Sequence, residues 1–214
     1  GVVAVVSGSG LQNIFRSLGA AVVPGGQTMN PSAGDLLAAI EKLSGSSAFV
    51  LPNNGNIVMA AQKAAEQSEK VVHVIPTRSV PQGIAAALSF NPTKPPEVNV
   101  QAMSHAAQET ITLEVTPAVR DAVVDGISVT EGQYLGLLDD CLVEVDVEAG
   151  VVASRMLERV MDAGVEVISI YSGVMISHEQ SEALASRIGD QYPHVDVETF
   201  KGGQDHYEYI ISVE

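Results

Sequence analysis

The side chains best suited to chemistry or recognition lie in four short loops, each directly after an apolar run. Ser7-Gly8-Ser9-Gly10 follows residues 2–6, and Gly25-Gly26-Gln27-Thr28-Met29-Asn30-Pro31-Ser32 follows residues 20–23. Pro52-Asn53-Asn54-Gly55-Asn56 follows residues 48–51, and Pro76-Thr77-Arg78-Ser79-Val80-Pro81-Gln82-Gly83 follows residues 71–75. These loops supply amides, hydroxyls and a single arginine. Their candidate binding residues are Gly8, Ser9, Gln27, Thr28, Asn30, Asn53, Asn54, Asn56, Thr77, Arg78, Ser79 and Gln82. Glycine lets backbone come close to a ligand or partner. Ser32 is placed to cap a following helix, whose free N–H groups suit an anion or a carbonyl. The same residue types are also good turn formers.

Reaction chemistry is harder to assemble. A phosphate-binding Gly-Lys-Ser/Thr loop and a Gly-x-Ser-x-Gly nucleophile elbow are both missing from the sequence. Gly8-Ser9-Gly10 stands where a dinucleotide fingerprint belongs. Asn13 takes the place of its third glycine, however, and the second apolar run ends without an acidic residue for a ribose hydroxyl. His73, His105, His178, His194 and His206 are dispersed, with no pair at helical i, i+4 spacing, which disfavours zinc. His73 lies inside Val71-Val72-His73-Val74-Ile75 and reads as a hydrogen-bonded core residue. His206, beside Gln204 and Asp205, is a possible terminal-loop contributor together with Gln204. Asp139-Asp140 and the series Glu144, Asp146, Glu148 could in principle hold a divalent cation. Alternation along a strand instead predicts a solvated face for the latter three. Cys141 follows two aspartates, a setting that disfavours a reactive thiolate. We therefore expect no catalytic residue and no metal site.

Bulk properties narrow the partners. The formal net charge of −15 argues against nucleic acid and against anionic membrane surfaces. With 46% hydrophobic residues and few aromatics, the core must be built of aliphatic side chains. One cysteine suits a reducing compartment, which points to the cytoplasm. No apolar run is long enough to span a bilayer, so no membrane insertion is expected. The chain opens on a strand-like Gly1-Val2-Val3-Ala4-Val5-Val6 without an initiator methionine, which predicts an excised fragment whose upstream domain is missing.

The elements that position the loops follow from periodicity. Apolar strands and helical segments alternate over the first 92 residues, which predicts a parallel sheet covered on both faces. Asn91-Pro92-Thr93-Lys94-Pro95-Pro96 predicts a junction, giving subdomains 1–92 and 93–214. Beyond it, a helix over 98–108 leads into consecutive strands near 110–119, 122–129, 134–138 and 142–147, which implies antiparallel pairing. Helices and strands then alternate again to the end. The fold class is therefore α/β, with a parallel-sheet lobe and a mixed-sheet lobe. Val5-Val6-Ser7-Gly8 followed by Gly25-Gly26-Gln27 is echoed by Ile170-Tyr171-Ser172-Gly173 followed by Gly202-Gly203-Gln204, at a different interval. The echo suggests two related halves facing each other across a cleft.

Three motifs in order resemble one family. Gly25 to Ser32, then Leu51-Pro52-Asn53-Asn54-x-Asn56-Ile57, then Ile75-Pro76-Thr77-x-Ser79-x-Pro81-Gln82-Gly83 are similar to the C-terminal domain of the kinase subunit of bacterial fatty acid kinase, the DAK2-domain or YloV-like proteins. Gly202-Gly203-Gln204 and Tyr207-x-Tyr209-Ile210 match the end of that family, with Asp205 where a proline is expected. The resemblance implies a DegV-like two-lobe fold. It also implies that ATP and magnesium belong to an absent N-terminal kinase domain, with no cofactor in this stretch. The implied partners are that upstream domain and a fatty-acid-binding DegV-like subunit, which this domain would dock so that the acyl carboxylate meets ATP. An alternative is that the domain itself holds a fatty acid in the cleft between its lobes.

Overall fold

The computed structural model describes residues 1–26, 29–162 and 164–214. Two compact units divide the chain, Gly1–Thr110 and Ile111–Glu214. This boundary falls later than the proline-rich segment, because the helix that follows those prolines packs on the helix before them.

The first unit is a four-stranded parallel sheet. Its strands are β1 (Val2–Val6), β2 (Ala21–Pro24), β3 (Ser47–Leu51) and β4 (Val71–Val74), in the order β2-β1-β3-β4. Helices α1 (Ser9–Ser17), α2 (Ala33–Lys42), α3 (Val58–Gln67) and α4 (Val80–Leu88) follow the strands in turn, and α5 (Pro96–Glu109) completes the unit. Leu36 and Ile40 of α2 and Ala61 and Ala64 of α3 pack on Val3, Val5 and Val50 of the sheet. Val2, Ala4, Phe49 and Leu51, alternating with these, are buried too. Strands apolar on both faces are what a parallel sheet layered between helices requires. Helix α5 begins at Pro96 rather than 98, since proline is well placed at the first helical position.

The second unit is a six-stranded sheet in the order β11-β10-β12-β5-β8-β9. Its strands are β5 (Ile111–Pro117), β8 (Tyr134–Leu138), β9 (Cys141–Asp146), β10 (Val167–Ser172), β11 (Asp196–Lys201) and β12 (Tyr209–Val213). Strands β10 and β11 run parallel; the other pairings are antiparallel, as consecutive strands implied. Helices α6 (Ala149–Val160) and α7 (His178–Gln191) bury Val152, Met156, Leu157, Leu184 and Ile188 against Leu113, Val115, Ile168, Ile170 and Ile211. A separate hairpin, β6 (Ala122–Val124) with β7 (Ile127–Val129), contributes Val129 to a small cluster with Ala118 and Leu142.

Tertiary placement explains the acidic residues of this unit. Asp139 and Asp140 form the two-residue turn between β8 and β9, with φ of 46° and 71°. Aspartate tolerates the left-handed region that such tight hairpin turns demand. Glu144 and Asp146 do not make the solvated face that alternation predicted. They lie under α6, where Arg155 bonds both at 3.3 and 2.9 Å and Arg159 bonds Glu144 at 3.0 Å. Glu148 is the residue at the N-terminal boundary of α6. Cys141 is exposed at the start of β9.

Candidate functional site at the carboxyl edge of the parallel sheet

Because β1 to β4 all run the same way, the loops that follow them emerge at one edge of the sheet. That is the edge where open α/β sheets bind ligands. Gly8, Ser9, Asn30, Asn53, Asn54, Asn56, Thr77, Arg78, Ser79 and Gln82 all lie on these loops or the helix turns directly after them. Gln27 and Thr28 lie outside the described residues. Gln204 and His206 belong to the second unit, in the loop between β11 and β12.

The centre of the edge is a closed clasp. Asn53 adopts φ 54°, and its side chain turns back into the sheet. Its Nδ2 donates to the Val5 carbonyl at 3.0 Å, and its Oδ1 accepts from Thr77 Oγ1 at 2.8 Å. Its backbone N–H donates to Thr77 Oγ1 at 3.0 Å. Both residues are buried, so the ends of β1, β3 and the β4 loop are joined out of water's reach. Gly83 makes the space, since a Cβ there would lie 2.0 Å from Asn53 Oδ1. The Asn53→Ala variant leaves buried partners unbonded, and we expect a loss of about 2 kcal/mol. Urea unfolding followed by circular dichroism measures it, and a change below about 0.5 kcal/mol would remove the clasp from the stabilising interactions.

Around the clasp the loops are capped from within. Ser79 accepts from Gln82 N at 3.3 Å as the N-cap of α4, while Gln82 Oε1 accepts from Arg78 N at 2.8 Å. Asn54 Oδ1 accepts from Asn56 N at 2.9 Å and starts a short 3₁₀ turn, Gly55–Ile57. Ser32 caps α2 as expected, but its anion-binding capacity is already used. Asp35 returns to accept from Ser32 Oγ at 2.6 Å and Ser32 N at 2.9 Å. The serine hydroxyl and then the backbone bond hold the Asp35 carboxyl below its ordinary value. The helix therefore carries its own anion.

What is left facing solvent is a rim. Ser9, Asn30, Asn56 and Arg78 are exposed. The Arg78 guanidinium passes about 3.5 Å from where a Cβ on Gly55 would stand, so the loops after β3 and β4 share one surface there. Met29 and Met59 are 66% and 79% exposed on the loop after β2 and the first turn of α3. Neither methionine stands out in the sequence. The one signal for Met59 is its place off the Ala61–Ala64 stripe that faces the sheet. His73 is not a hydrogen-bonded core residue: it stacks on Phe49 at 5.2 Å, and its Nε2 has no partner among the described residues. Among the described residues, no group of three or more His, Cys, Asp or Glu could hold a metal ion.

The second unit repeats the strand-end pattern of the first. β1 and β2 are parallel neighbours ending in Ser7-Gly8 and Gly25-Gly26; β10 and β11 are parallel neighbours ending in Ser172-Gly173 and Gly202-Gly203. Gly25 N donates to Val6 O at 3.3 Å, and Gly202 N to Ser172 O at 2.9 Å, so each glycine pair bridges to its neighbouring strand end. Gln204 is 3% exposed and donates to Tyr171 O at 2.9 Å, which makes it a strut of this loop.

The family model for the C-terminal domain of FakA-like fatty acid kinase proteins matches residues 1–214. The chain belongs to that family. It is 37% identical over 215 residues to protein YloV of Bacillus subtilis, covering 100% of this chain and 39% of YloV. The chain thus spans about two fifths of the length of the curated relatives it matches. Among solved structures it is similar to a Thermotoga maritima protein described as revealing fatty acid binding function, with a TM-score of 0.70, 11% identity and coverage of 100% and 99%. It is also similar to the Streptococcus pneumoniae fatty acid kinase B3 protein loaded with linoleic acid, with a TM-score of 0.67, 13% identity and coverage of 100% and 98%. The fold of this FakA-like C-terminal domain is DegV-like. No helix among the described residues is long and apolar enough to cross a membrane.

Proposed function

We propose that this domain is a docking module. It holds a fatty-acid-binding partner protein so that the acyl carboxylate can be phosphorylated by an ATP- and magnesium-binding domain elsewhere in the longer protein, in the cytoplasm. The observation that carries the reading is the division of labour at the sheet edge. Asn53 and Thr77 are buried and bonded to each other, whereas Arg78, Asn56, Met29 and Met59 are presented to solvent around them. A rim combining an arginine, an amide and two flexible methionines has the composition of a protein-recognition surface. No nucleophile with an adjacent base stands among the described rim residues, which favours recognition over catalysis.

Titration calorimetry with the fatty-acid-loaded partner tests this. Arg78→Glu should weaken binding at least tenfold, because it reverses the only cation among the four loops. Unchanged affinity overturns the assignment of this rim. A second reading, that the domain itself carries an acyl chain, draws support from the fold neighbours whose own structures hold or bind fatty acids. Native mass spectrometry of the freshly purified chain separates the two. Added mass of a fatty acid supports the second reading, and its absence together with partner binding supports the first.

A further inference from the structure

The six methionines of the chain divide by place. Met103 and Met156 are wholly buried, in α5 and α6, and Met161 packs half-buried against the core of the second unit. Met29, Met59 and Met175 are 66%, 79% and 75% exposed. All three stand where the chain has left the carboxyl end of a parallel strand: Met29 between β2 and α2, Met59 in the first turn of α3 after β3, and Met175 between β10 and α7.

The two in the first unit are held outward by their surroundings. The loop after β2 folds back so that Gly26 N donates to the Met29 carbonyl at 3.1 Å. That carbonyl lies 2.9 Å from where a Cβ on Gly25 would stand, so the main chain is packed down while the side chain faces solvent. Met59 lies two residues before Ala61, on the side of α3 turned away from the sheet. Strands β2 and β3 flank β1, which sets the strands that carry the two residues about 10 Å apart.

A thioether is the one side-chain group of this rim that a mild oxidant converts; the amides, the hydroxyls and Arg78 are inert to peroxide. The sulfur attacks the outer oxygen of a hydroperoxide. An S–O bond forms, the O–O bond breaks, and the released oxygen leaves with the peroxide's proton as water or an alcohol. The sulfide is oxidised to a sulfoxide and the peroxide is reduced. A dithiol reverses the step under reductase catalysis, giving the sulfide, a disulfide and water. Oxidation turns a flexible apolar side chain, suited to recognition, into a polar one. Both methionines lie outside the core, so the fold does not resist the change.

We propose that Met29 and Met59 form a reversible oxidation site that lowers the affinity of the docking rim. The regulatory half rests on the docking reading; the selectivity of oxidation for exposed over buried methionines does not.

The test uses the 214-residue chain in a Cys141→Ser background, which removes its one thiol. Peptide mass mapping after hydrogen peroxide should find sulfoxide on Met29, Met59 and Met175 and none on Met103 or Met156. Titration calorimetry with the fatty-acid-loaded partner should show affinity falling about tenfold after peroxide and returning after methionine sulfoxide reductases with dithiothreitol. Tm should not change. In the double variant Met29→Leu, Met59→Leu, affinity should be the same before and after peroxide, whatever its starting value. In Met175→Leu the loss should persist. A parent chain that binds no partner before peroxide overturns the docking reading and the regulatory role together. One that binds equally well before and after overturns the regulatory role alone. Sulfoxide on the buried pair, a lowered Tm, or a loss that survives in the double variant would also overturn the proposal.

Discussion

Replacing Gly173 by alanine should destabilise the protein by about 4 kcal/mol and lower its Tm by about 10 °C. Gly173 directly follows β10, where the chain passes the loop between β11 and β12. A Cβ there would lie 2.1 Å from the Tyr207 carbonyl oxygen and 3.0 Å from that of Gln204. Both are backbone atoms, so no change of rotamer relieves the clash. The backbone that would have to move is also tied down: Gly173 N donates to Glu208 O at 2.8 Å, and Gly203 N donates to Ser172 O at 3.0 Å. Lys201 Nζ adds bonds to Gly173 O at 2.5 Å and Ile176 O at 2.7 Å. Gly189→Ala is the control, since it lies within α7 with no described atom within 4 Å of the added methyl. It should stabilise the helix by about 0.5–1 kcal/mol. Calorimetric scans of the two variants measure both effects. A Tm within about 2 °C of the parent for Gly173→Ala would mean the close backbone approach is not maintained in solution.

The second large effect is a pH dependence carried by Glu114. This residue lies on β5 opposite Ile210, with its carboxyl group buried. Burial raises its pKa from 4.5 to about 7, with repulsion from Asp140 and Asp139 adding to the shift and a hydrogen bond from Tyr207 opposing it. The sign follows from proton binding. Between about pH 4.5 and 7 the folded chain holds a proton on Glu114 that the unfolded chain has released. Stability from this group is therefore greatest at low pH, falls as pH rises through that window and is flat above it. At 1.36 kcal/mol per unit the loss is at most about 3 kcal/mol. Glu114→Gln keeps an acceptor for the Tyr207 hydroxyl and removes the charge. It should gain up to that amount over the parent at pH 8 and little at pH 4.5, as read from urea unfolding at the two values. Parallel pH profiles for the two proteins would exclude Glu114 as the source.

Much of the architecture was legible in the sequence because it rests on local periodicity. Apolar runs without alternation marked β1 and β3 as strands covered on both faces, whereas β4, read the same way, is an edge strand with Val71 exposed. Ser32 and Ser79 were readable as helix starts because a cap uses only its own next three residues. Four loops at one edge followed from the parallel order alone. The domain junction was not legible in the same way: three prolines look like a linker, but α5 packs back onto α4, a long-range contact with no local signature.

The roles of the individual side chains were decided by tertiary structure. Sequence placed Asn53 and Thr77 on the binding edge beside Arg78, and types alone do not distinguish a clasp from a ligand-binding group. The fold bonds the first two across 24 residues and leaves the third exposed. Glu144 and Asp146 alternate as a solvent face would, until α6 brings Arg155 and Arg159 over them. Tyr209, Arg187 and the start of α6 line one cavity only because β12 lies between the strands that α6 covers and those that α7 covers. Hydrophobic patterning is a property of neighbours in sequence, so the sequence determined strands, helices, caps and the common loop edge. Which polar groups satisfy one another depends on distances between remote segments, and only the packed structure sets those.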